Sequence, residues 1–111
     1  LIGPGVESVP GPVEDCGWRV TSRGREIPLT GRAFDWVWWA RIGYLASADS
    51  PVTVSAGESS VDTEISAGLH SLYVRLEGTF DSVRIDGLTP GTVMCVDSIS
   101  VGQPSPGEPL L

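Results

Sequence analysis

Trp39 alternates with Arg41, Tyr73 alternates with Arg75, and Arg84 alternates with Asp86. Aromatic rings set among guanidinium and carboxylate groups suit a sugar, whose flat C–H face packs on the ring while polar groups around the rim fix its orientation. If these three runs are neighbours in the fold, Trp39, Arg41, Tyr73, Arg75, Arg84 and Asp86 form a carbohydrate-binding platform. The same residue types also serve as core filling and as surface ion pairs of little energetic weight. Trp39 is open to either role. Trp36 and Trp38 are expected in the core, and Trp18, two residues from Cys16, is expected to pack against the cysteine pair.

Catalytic chemistry finds less support. His70 is the only histidine, and it falls in phase with Leu72 and Val74, which predicts a satisfied, partly buried ring. No Gly-x-Ser-x-Gly elbow is present, and no serine or cysteine is set to partner the histidine. Glycosidases need two carboxylates about 5–10 Å apart. Asp81 with Asp86, and Asp62 with Glu64, are the candidates, but fourteen acidic residues in one small domain produce such pairs by chance. No catalytic residue is assigned, and the chain is not expected to be an enzyme. Asp97 falls in phase with Ile99 and Val101 and is expected to be buried, where a carboxylate must be paired, hydrogen-bonded or metal-bound. It either caps backbone groups, pairs with an arginine, or shares a structural calcium with Glu14 or Asp15. No other cofactor is expected.

The two cysteines, Cys16 and Cys95, have no second cysteine or histidine at metal-ligand spacing, which argues against zinc. They form a disulfide or remain two buried thiols. A disulfide would imply an oxidising compartment.

Composition narrows the partners. A net charge of −7 argues against nucleic acid, which demands a basic footprint, and against an anionic membrane surface. Hydrophobic residues make up 41% of the chain and charged residues 19%, as in one ordinary folded domain. The run Trp36-Val37-Trp38-Trp39-Ala40 falls far short of the roughly 20 residues that cross a bilayer. Every basic residue apart from His70 is an arginine, a rigid planar cation able to pair bidentately or stack on rings. The chain begins at Leu1, and it is read as an excised piece of a longer protein whose targeting segment lies elsewhere.

Helix signals are almost absent. Turn residues recur every eight to twelve positions between runs rich in Val, Ile, Thr, Trp and Tyr. The pattern predicts strands near 17–22, 26–29, 36–46, 51–55, 60–65, 69–77, 80–86 and 92–101. Such strands imply an all-β, two-sheet antiparallel sandwich of jelly-roll type over 16–102. A Pro/Gly-rich lead-in at 1–15 and a Pro-rich tail at 103–111 are expected to be linker-like or extended. Trp36, Trp38, Ala40, Ile42 and Tyr44 share one face of the third strand, and Val37, Trp39, Arg41 and Leu45 share the other. A Cys16–Cys95 bond would join the first strand of such a sandwich to its last.

Four segments carry a family resemblance: Cys16-Gly17-Trp18, Trp38 through Tyr44, Gly68 through Val74, and Cys95 through Gly102. In outline they resemble the C-terminal extracytoplasmic domain of actinobacterial, multi-spanning envelope proteins of the glycosyltransferase type. They are also similar to jelly-roll carbohydrate-binding modules, in which Gly-x-His-x-Leu and Asp-x-Ile-x-Val strands recur. The resemblance covers roughly residues 14 to 104. It implies a non-catalytic domain of the cell envelope that touches a cell-wall polysaccharide or a lipid-linked sugar. Chemistry and membrane attachment would belong to the parent protein, and the isolated domain would be a monomer. The chain departs from calcium-binding members in having no aspartate-rich loop. The alternative is a structural or protein-interaction β-sandwich without a sugar site, which predicts an exposed apolar patch in place of a groove with polar rims.

Overall fold

In the computed structural model, residues 2–7 and 16–103 are described, without the side chains of 2–7, 32–38 and 103. All regular structure among them is strand: β1 (Ile2–Glu7), β2 (Trp18–Val20), β3 (Arg25–Ala46), β4 (Ser50–Ala56), β5 (Ser59–Ile65), β6 (Gly68–Asp86) and β7 (Met94–Gln103). The all-β, antiparallel architecture is the one the sequence pattern predicts.

Hydrogen bonding runs through all of these strands as one sheet in the order β1-β7-β3-β6-β4-β5, with β2 also on β7. The sheet curls into a half-barrel. Its two ends enclose a single core, as the two layers of a sandwich do. The 26–29 and 36–46 predictions merge into β3, and the 69–77 and 80–86 predictions merge into β6. The reason lies at the corners. β3 and β6 stay paired from Arg25↔Ile85 to Ala46↔Gly68, but their register shifts between Pro28 and Ala33 and again between Ala33 and Trp36. Pro28 lacks a ladder donor, and Gly78 on β6 adopts φ 102°, a conformation open to glycine. The breaks expected after residues 29 and 77 are therefore bulged bends, at Thr30-Gly31 and Glu77-Gly78, inside continuous strands.

Part of the lead-in also joins the sheet, because β1 pairs with the end of β7 through Val6↔Val101 and Glu7↔Ser100. Residues 8–15 and the tail beyond 103 lie outside the described residues.

The core is aliphatic among the described residues. Ile27, Ile42, Val54, Leu76, Ile85, Val96 and Ile99 are fully buried, with Tyr44 and Phe80 as aromatic members. They form one cluster that draws on both halves of the curled sheet. The side chains of Trp36 and Trp38 lie outside the described residues, so their expected burial is not decided. Trp18 packs against the edge of the core, and the Arg25 guanidinium stands 4.9 Å from its ring centre, a cation–π contact.

Cys16 and Cys95 form a disulfide with their Cα atoms 5.3 Å apart. Gly17, next to it, passes so close to β7 that a Cβ there would lie 2.7 Å from the Val96 carbonyl oxygen. Gly17→Ala must push two backbones apart, and we expect a loss of about 1–3 kcal/mol. Urea denaturation checks this, and an unchanged midpoint would contradict the close approach.

Candidate functional site

The C-terminal half of β3 is the centre of a panel. From Trp39 to Ala46 it pairs with β6 on one side and with β7 on the other. Ala40, Ile42, Tyr44 and Ala46 are buried, so the alternate residues Trp39, Arg41, Gly43 and Leu45 occupy the outer face. Trp39 is opposite Arg75 of β6, Arg41 opposite Tyr73, Gly43 opposite Ser71, and Leu45 opposite Leu69. On the β7 side the same four residues face Gly102, Ser100, Ser98 and Cys95. Directly opposed residues have their Cβ atoms about 5 Å apart, so these side chains form contiguous rows.

Four of the six expected platform residues thus come together: Trp39, Arg41, Tyr73 and Arg75. Trp39 is half-buried, while Arg41, Tyr73 and Arg75 are exposed. Arg75 turns to Glu77, with its Nη2 3.3 Å from the carboxylate. Arg41 has no such partner among the described residues.

Arg84 and Asp86 do not join them. They lie nine or more residues beyond Arg75 on β6, roughly 30 Å of strand, and the Gly78 corner intervenes. Arg84 stands 3.5 Å from Asp86 and donates to the Arg23 carbonyl at 3.3 Å. Their role is to clasp the turn between β2 and β3.

Beside Arg41 the panel opens into a trough. Gly43 contributes no side chain at its centre, and a depression of about 320 Å³ follows, lined by Arg41, Gly43, Ser71, Asp97 and Ser98. A second depression of about 280 Å³ continues it past Leu45 and Leu69 to the disulfide, and Asp97 and Leu69 border both. Each is near the small end of the range for ligand sites. From Trp39 to Leu45 the face runs roughly 20 Å along the strand. Another hollow of about 310 Å³ lies between the start of β5 and β6, but its lining holds no aromatic ring.

Asp97 is exposed, which corrects the expectation of a buried carboxylate. The β3–β7 ladder steps from Gly43↔Ser98 to Tyr44↔Val96, so Asp97 is the extra residue of a bulge and turns out of the phase set by Ile99 and Val101. Glu14 and Asp15, its proposed calcium partners, lie outside the described residues. No group of three or more potential metal-ligating residues occurs among the described ones.

His70 is exposed rather than partly buried, because at this end β6 pairs with β3 on one side only, β4 joining it at residues 84–86. Its ring is satisfied as expected, with Nε2 2.9 Å from the Ala67 carbonyl oxygen, and it tilts against Tyr44 at 6.1 Å. Of the carboxylate candidates, Asp62 accepts a hydrogen bond from Thr53 Oγ1 at 2.8 Å on exposed surface. Glu64 is exposed on the same strand, and Asp86 serves the turn clasp.

Sequence reasoning missed Gly43, Ser71, Ser98 and the exposed pair Leu45 and Leu69. The signal for Gly43 and Leu45 was available in the phase of Trp39 and Arg41. The serines became site residues only through strand pairing.

No family model matches the chain, and no curated protein matches it. A solved structure described as "BiXyn10A CBM1 APO", the ligand-free carbohydrate-binding module of a xylanase, is similar over 88% of this chain and 72% of its own, with a TM-score of 0.53 and 10% identity. The disulfide and this type of fold fit an extracellular domain. At that identity the likeness establishes a shared fold: this chain is built like a carbohydrate-binding module.

Proposed function

We propose that the domain is a non-catalytic carbohydrate-binding module that holds a sugar chain along the outer face of β3, between Trp39 and Leu45. Its partner is a cell-wall polysaccharide or lipid-linked sugar. The setting is the cell envelope, where the domain is appended to a membrane-bound protein of the glycosyltransferase type. The observation that carries this reading is the row of Trp39, Arg41 and Tyr73 at the head of a trough lined by serine hydroxyls and Asp97. Aromatic faces supply the apolar contact and the polar rim supplies orientation. The likeness to a carbohydrate-binding module supports it.

A glycan panel of arabinan, galactan, mannan and xylan fragments against the isolated domain tests the proposal. At least one is expected to bind and to shift the Trp39 indole signal. Trp39→Ala is expected to weaken that binding roughly tenfold or more, the scale of a central aromatic contact. A panel in which no ligand moves the Trp39 signal would contradict the reading.

One observation favours a second reading, a protein-docking surface. Leu45 and Leu69 are 52% and 77% exposed and directly opposed. That reading predicts that Leu69→Ser abolishes assembly with a partner protein while glycan binding is absent throughout.

A further inference from the structure

We infer that the sugar bound on this face carries a carboxylate, as a uronic acid does, and that Arg41 receives it. The inference rests on the sugar-binding reading above and names the class of sugar.

Arg41 is exposed at the middle of the panel, between Tyr73 on β6 and Ser100 on β7. The protein carries fourteen acidic residues and a net charge of −7, yet no carboxylate pairs with this guanidinium among the described residues. Three other arginines are engaged differently. Arg75 turns to Glu77, Arg84 to Asp86, and Arg25 to the Trp18 ring. On the panel, Arg41 alone offers its fork to an incoming group. A guanidinium matches a carboxylate through two parallel hydrogen bonds, and the aromatic rings beside it pack on the sugar that bears the group.

Asp97 sets the polarity. It borders the trough three positions along β7 from Ser100, roughly 10 Å from Arg41's row. A carboxylate there accepts hydroxyl donors from an uncharged part of the sugar chain and repels a second anion. The acidic group therefore belongs at the Arg41 end and neutral hydroxyls at the Asp97 end. A phosphate fits less well. Its second charge calls for a second cation, and the one other basic residue in the trough lining, His70, already has its Nε2 on the Ala67 carbonyl oxygen.

The experiment compares acidic oligosaccharides with their methyl esters, which keep size and shape but remove the charge. Suitable pairs are tri-galacturonate, a glucuronate-substituted xylotetraose and an oxidised cellotriose, each titrated by ¹⁵N–¹H NMR into the intact domain. At least one acid is expected to bind roughly tenfold more tightly than its ester at low salt, with the gap narrowing in high salt. R41Q is expected to equalise acid and ester, and R41K to keep part of the preference. Unchanged thermal unfolding of both variants keeps the comparison clean.

Esters or neutral glycans that bind as well as every acid would overturn the inference and leave the sugar-binding reading standing. So would an acid preference that survives R41Q. Failure of every charged and neutral sugar to bind would overturn both.

Discussion

Replacing Cys16 and Cys95 together by serine is expected to cost about 4–5 kcal/mol. The bond spans 79 residues, and closing a loop of that length removes unfolded-chain entropy of this size in the chain-entropy model. A domain of this class has only roughly 5–15 kcal/mol of stability, so the variant should lose between about a third and nearly all of it. At about 4–8 °C per kcal/mol for a chain of this size, its melting temperature should fall by roughly 15–40 °C. The effect has a local side. β2 is three residues long and pairs with β7 through Trp18↔Val96, Arg19↔Cys95 and Val20↔Met94, so Cys16 anchors it from just outside the ladder. Amides of β2 should therefore exchange first in the serine variant. Thermal unfolding with and without reductant provides the check. A change within about 1 kcal/mol would mean that the bond constrains little.

The second large effect concerns Gly43. A Cβ built there would meet the Ser98 Oγ at 3.5 Å, an ordinary contact, so a larger side chain can enter without displacing the strand. Gly43→Val should leave the fold intact, and a β-branched residue in place of glycine should stabilise it by up to about 1 kcal/mol. The new side chain would occupy the centre of the trough. Sugar binding should then fall by roughly two orders of magnitude, the scale at which contacts at the heart of an interface are lost. Few substitutions predict higher stability together with lost binding. Measuring the melting temperature and the Kd on the same sample tests both halves. Binding that survives in a well-folded Gly43→Val variant would remove the trough from the site.

The legible part of the fold was the part written in alternation. Val74 and Leu76 against Tyr73 and Arg75, and Ala40 and Ile42 against Trp39 and Arg41, show a period of two that fixes which side chains face out. These residues supplied the aromatic and cationic head of the site. The Cys16–Cys95 pairing was legible for a related reason, since a sandwich brings its first and last strands together.

What could not be read depended on bends and partners. A glycine between apolar runs marks a turn or a bulge with equal ease, so strand breaks were expected around Gly31 and Gly78 although the strands continue. The extra residue at Asp97 reversed its phase, and only the β3–β7 register displays it. Arg84 and Asp86 face outward as their alternation implies, but a corner in β6 carries them away from Tyr73. Pairing between segments distant in sequence leaves little local trace, which is why the trough-lining serines went unnoticed.

Sugar is expected to lie along the outer face of β3. Residue-resolved NMR mapping with a bound glycan tests this most directly. The largest shifts are expected at Trp39, Arg41, Gly43, Tyr73 and Ser98, with Arg84 and Asp86 unmoved. Shifts centred on the Arg84–Asp86 clasp or on the β4–β5 hairpin, with the β3 face silent, would contradict it.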